Sequence, residues 1–154
     1  MSLKNSYTTS DYLQWDSATT LVRKLYRDKN YRISLLIGCG IFFGLRISDL
    51  LRLTWNMLMN NEAKFVLIEK KTGKRRVFTV PLLIWQYIEN YCLRNGIKRT
   101  DLIFPITERA VQKQLRIVCD YLGFDGISTH SFRKWYATEI YNANGFDIAL
   151  VQRL

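Results

Sequence analysis

The chain has 154 residues, about one domain's worth and enough to bury a real core. Its hydrophobic share of 48% and charged share of 23% are those of a globular protein, and 23 lysines and arginines against 13 acids leave a formal charge of +10. That surplus favours a polyanionic partner, nucleic acid ahead of an anionic membrane surface. The longest apolar run, Leu35 to Leu45, is too short to span a bilayer, so no membrane partner is expected and the protein is read as cytoplasmic. His130 is the single histidine, and Cys39, Cys92 and Cys119 are widely spaced without a CxxC pair; no zinc site is expected, only buried free thiols.

In chain order, residues 1–15 show no period and read as an extended lead-in. Asp16 or Ser17 caps a first helix to about Asp28, with Ala18, Leu21, Val22 and Leu25 inward. Tyr31 to Gly44 is apolar almost all round, the mark of a helix buried in the middle of a domain, and Gly44 ends it. A third helix is expected from Arg46, with Ile47, Leu50, Leu51 and Trp55 at positions i, i+3, i+4 and i+8. Arg46 stands at its N-terminal end, where the dipole disfavours a cation, and Asp49 is placed to pair with it.

Between Lys64 and Pro81 the period changes to two. Phe65 and Leu67 alternate with Val66 and Ile68, Thr72-Gly73-Lys74 turns, and Arg76 to Val80 returns, so a β-hairpin is expected. Lys70, Lys71, Lys74, Arg75 and Arg76 crowd its tip; from Lys64 to Arg76 there are six cations and one acid, Glu69. Such a tip is a solvated, aggregation-resistant turn or a finger laid along a nucleic-acid backbone. Pro81 opens a helix through about Asn95 with Ile84, Tyr87, Ile88, Tyr91 and Cys92 inward and Gly96 as its stop. After a loop over residues 97–106, a helix from Thr107 to Leu122 buries Val111, Leu115, Val118 and Leu122 and turns Arg109, Lys113 and Arg116 to another face.

Residues 129–143 read as one helix between the turn at Gly123 to Gly126 and the stop at Asn144-Gly145, with Ser128 or Thr129 as N-cap. His130, Arg133 and Lys134 fall in its first turn, and His130 and Arg133, three apart, project from one face. Free N–H donors, an imidazole and a guanidinium together make a receptor for phosphate; the plainer alternative is a solvated basic turn. The fold class is α+β, mainly α-helical, with a small antiparallel hairpin on one edge.

Four pieces occur here in an order that resembles the tyrosine recombinase (phage integrase) family. They are Gly44-Leu45-Arg46-Ile47-Ser48-Asp49-Leu50-Leu51, the Lys70 to Arg76 turn closing on Val80-Pro81-Leu82, Thr129-His130-Ser131-Phe132-Arg133, and Gly145 to Leu154. The resemblance covers roughly residues 12 to 154. It implies DNA transesterification through a 3′-phosphotyrosine, without metal or cofactor. Arg46 and Arg133 resemble the arginines that hold the non-bridging phosphate oxygens, and His130 the residue that handles the nucleophile's proton. Lys71 looks like the general acid, with Lys70 and Lys74 as rivals in register, and Asp49 like the carboxylate that orients the first arginine. Lys70, Lys74, Arg75, Arg76 and Lys134 are expected DNA contacts.

The family's second histidine block and nucleophilic tyrosine would fall after Leu154, and its N-terminal core-binding domain is not recognised in the chain. Tyr136 reads as a core aromatic rather than the nucleophile. The expectation is therefore a single catalytic domain lacking its C-terminal end, able to bind DNA phosphate but inactive alone. The full-length protein is expected to bind double-stranded DNA, in the nucleoid, and to self-associate with other protomers there. The alternative is a non-catalytic regulatory module that occupies DNA; a type IB topoisomerase-like enzyme is less well suited to so short a hairpin.

Overall fold

The computed structural model describes residues 16–58, 64–80, 82–132 and 134. Among the described residues eight elements are defined up to Leu122. They are α1 (16–27), α2 (Tyr31–Phe43), α3 (Ile47–Leu50), α4 (Trp55–Leu58), β1 (Lys64–Ile68), β2 (Arg75–Thr79), α5 (Leu82–Arg94) and α6 (Glu108–Leu122). The fold is mainly helical with one two-stranded antiparallel sheet, as the residue pattern implied. None of the described helices is long and apolar enough to cross a membrane.

The centre is α2. Ten of its residues, Ile33 to Ile41 and Phe43, are buried, which is why the sequence there has no polar face. Asn30 caps its start by accepting from Ile33 N–H at 3.4 Å, and the same side chain donates to Gln114 Oε1 on α6 at 2.7 Å. Gly44 ends α2 in the left-handed region (φ 63°), its N–H returning to Gly40 O. Around α2 close α1, through Ala18, Leu21, Val22 and Leu25, and α5, through Ile84, Ile88, Tyr91 and Cys92. On α6, Val111, Leu115 and Val118 are buried as expected; Cys119 joins them, and Leu122 is half-buried.

The expected helix from Arg46 through Trp55 is not continuous. It stops at Leu50 and resumes at Trp55 as α4. The intervening strand-like residues bond to the loop before α6: Ile103 N–H donates to Leu53 O at 3.0 Å, and Thr54 forms an isolated antiparallel bridge with Leu102. Thr54 Oγ1 then accepts from Met57 N–H to start α4. Ile47, Leu50 and Trp55 are buried all the same and Leu51 is half-buried, so the spacing reported burial better than helix continuity.

The hairpin pairs Val66 with Val77 and Leu67 with Arg76. Leu67 is buried while Val66, Ile68 and Val77 are exposed, as alternation in a one-sided sheet requires. The pairing runs on to Glu69, whose N–H donates to Lys74 O at 2.9 Å and whose carbonyl accepts from Gly73 N–H at 2.8 Å; Gly73 supplies the positive φ (70°). Pro81 and the chain beyond 134, with most of the expected helix over 129–143, lie outside the described residues.

Candidate catalytic site

Arg46 occupies the N-cap of α3, in extended backbone (φ −67°, ψ 152°), directly after the turn that ends α2. Its Nη1 lies 3.6 Å from Oε1 of Glu69, an ion pair longer than a hydrogen bond. That nitrogen is shielded from solvent and has no hydrogen-bond acceptor among the described residues. A guanidinium N–H held in this way is a donor awaiting an acceptor.

Asp49 does not hold Arg46. Fully buried, it accepts from Arg52, three residues on, and from the N–H of Lys70 at 3.0 Å. Arg52 also donates to Ile68 O at 2.9 Å. Asp49 therefore fastens the lysine turn to α3 and leaves Arg46 to Glu69, a residue that the sequence reading passed over. The available signal was its charge: Glu69 is the single acid in the basic run from Lys64 to Arg76.

Arg76 also departs from expectation. Instead of reaching outward from the tip, it donates to Phe43 O at 3.2 Å, to Gly44 O at 3.1 Å and to Glu69 Oε2 at 3.4 Å. It satisfies carbonyls at the C-terminus of α2 and clamps the hairpin there. Lys70, Lys71, Lys74 and Arg75 are exposed, in keeping with a turn that meets a large anionic partner.

Residues 128–132 form the third component. Ser128 Oγ accepts from His130 N–H at 3.3 Å while Ser128 N–H donates to Ser131 Oγ at 3.1 Å, a reciprocal cap that fixes the start of the turn. His130 is exposed. Phe132, fully buried, lies against Gly40, one helical turn before the Gly44 that Arg76 grips. The His130 turn is thus anchored on the C-terminal half of α2, the helix that leads into Arg46. Lys134 is exposed; Arg133, Tyr136 and residues 145–154 lie outside the described residues.

The three thiols take no part in this arrangement. Cys39, Cys92 and Cys119 are free and buried, as expected, and burial pushes Cys92 and Cys119 up to about 11.

An arginine with one shielded N–H that has no acceptor among the described residues, a lysine turn pinned to α3 and a capped histidine turn are thus joined to one helical core. The chain belongs to the phage integrase family, which matches residues 12–154. It is 29% identical over 140 residues to a probable integrase/recombinase, YoeC, of Bacillus subtilis (strain 168), a match covering 86% of this chain and 75% of that protein. Its fold resembles the crystal structure of XerA recombinase with a TM-score of 0.65 and 19% identity over 90% of this chain. The chain spans about half the length of that recombinase, 53%.

Proposed function

We propose that this chain is the catalytic domain of a site-specific DNA recombinase and grips the scissile phosphate through Arg46, with Arg133 as the second guanidinium. Family membership supports the reaction class, and the shielded, acceptor-free Nη1 of Arg46 beside a pinned lysine turn is the observation that carries the reading. In the reaction a tyrosine Oη attacks phosphorus, the bond to the 5′-oxygen breaks, and a 3′-phosphotyrosine forms. Lys71 gives its proton to the departing 5′-oxygen, and His130 takes up the tyrosine proton and bonds a phosphate oxygen. The two arginines stabilise the charge that gathers on the equatorial oxygens of the phosphorane. The reverse attack by another strand's 5′-hydroxyl reseals the junction, so no external energy source is consumed.

Trapping on a nicked duplex tests this. In the polypeptide that carries the nucleophilic tyrosine, a covalent protein–DNA adduct is expected, and Arg46→Ala or Arg133→Ala should lower its rate by about 10²–10³-fold, the cost of one oxyanion donor. Normal adduct formation by either variant removes that arginine from the site. Duplex binding with no adduct from the wild-type protein favours a regulatory module that occupies DNA without cutting it.

A further inference from the structure

Glu69 joins two parts of the site that come from different elements. It is 2% exposed, the only acid in the basic hairpin, and it faces Arg46 and Arg76 together. Its Oε1 accepts from Thr72 Oγ1 at 2.7 Å, and its own N–H and C=O close the turn on Lys74 and Gly73. Lys71 sits between those anchors. We infer that Glu69 is a positioning residue for strand transfer, a buried carboxylate that sets the Arg46 fork and the lysine turn in one register.

The electrostatics suit that role. A carboxylate shared by two guanidiniums leaves net positive charge for an incoming phosphate, and its second cation, Arg76, is fixed by the Phe43 and Gly44 carbonyls. At 3.6 Å the Arg46 contact orients the fork by charge without consuming its N–H donor. Arg46 and Thr72, the neighbour of Lys71, are thereby tied to the same side chain, so a shift in the turn is felt by the fork. Isolated ion pairs on a surface are weak, but this carboxylate is out of solvent and its geometry is set on both sides.

The inference rests on the reading of Arg46 as a phosphate ligand, and one titration separates the two. Binding of a short fluorescent duplex is measured against salt for the wild-type chain, Glu69→Gln, Arg46→Ala and the double variant. Each single variant should lower the log–log salt slope by about 0.9, the loss of one phosphate contact, and the double variant should lose no more than either. A carboxylate that is merely a nearby negative charge gives the opposite sign: Glu69→Gln then binds DNA more tightly, in both backgrounds, with an undiminished slope. That result, with Arg46→Ala weakened, overturns the positioning role alone. An unchanged slope in Arg46→Ala overturns the phosphate reading and takes the positioning role with it. If Glu69→Gln does not fold, Thr72→Val serves in its place, because at an exposed tip it removes the hydroxyl bond to Oε1 along with that hydroxyl's bond from Lys74 N–H, and Thr72→Ser, which keeps both, is its control; weaker binding by Thr72→Val alone upholds the role and wild-type binding overturns it.

Discussion

A Cβ placed on Gly40 would stand 2.8 Å from Cδ2 of Phe132, closer than two carbons can lie without one moving. Gly40 is in the C-terminal half of the buried helix α2, and Phe132 is fully buried two residues after His130. The glycine is therefore a seat for that ring. Gly40→Ala should destabilise the chain by about 1–3 kcal/mol, the usual cost of overpacking, despite the better helix propensity of alanine. Thermal melts check the magnitude. Phe132→Leu in the same chain should recover part of the loss, and strictly additive effects would show that the two positions do not meet.

Arg76 and Lys74 are two residues apart in one basic turn, yet they should respond oppositely to alanine. Arg76 donates to two backbone carbonyls and a carboxylate, and hydrogen bonds from a charged group contribute about 1.5–3 kcal/mol. Arg76→Ala should lower Tm clearly. Lys74 is exposed, so Lys74→Ala should leave Tm unchanged and lower the DNA-binding salt slope by about 0.9.

Asp49 is buried, and its Oδ1 alone accepts from both Arg52 and the Lys70 N–H, while Oδ2 has no hydrogen-bond partner among the described residues. Asp49→Ala strands the Lys70 N–H, while Arg52 keeps the Ile68 carbonyl, and should cost about 1–3 kcal/mol. Asp49→Asn keeps an acceptor for the Lys70 N–H and should cost less. Urea unfolding of the two variants gives the comparison, and equal stability would mean that the N–H bond contributes nothing.

Burial holds the Cys92 and Cys119 thiols up at about 11 from an ordinary 9.0. Between those values the unfolded chain gives up thiol protons that the folded chain keeps. These groups therefore favour folding fully below about 9, and their contribution falls as pH rises towards 11. Replacing both by serine or alanine should flatten the alkaline limb of a stability–pH profile. At neutral pH, alkylation should be slow in the native protein and rapid in denaturant.

The helices whose burial runs with a steady period were readable before any coordinates: α1, α2 with its Gly44 stop, α5 and α6. So was the hairpin, because alternation and a Thr-Gly turn are local signals. The break between α3 and α4 was not, since its cause is a backbone bond from Leu53 to Ile103, fifty residues away in sequence. Asp49 shows the same limit at the site. Arg46 lies three residues before it and Arg52 three after, so helical spacing fits both as partners. The choice is made by the hairpin, which brings Lys70 N–H to Asp49 and Glu69 to Arg46. Arg76 was misplaced for a related reason: its charge suggested the solvent, and the carbonyls it serves belong to another element.

The side chain that starts the central helix is bonded to Gln114, 84 residues later. Asn30 thus gains this partner only once Gln114 has left the ribosome. During synthesis this largely buried helix must wait, incompletely covered, for α6 to arrive. A nascent chain stalled before Gln114 should accordingly be a better chaperone client and a better protease substrate than one stalled a few dozen codons later.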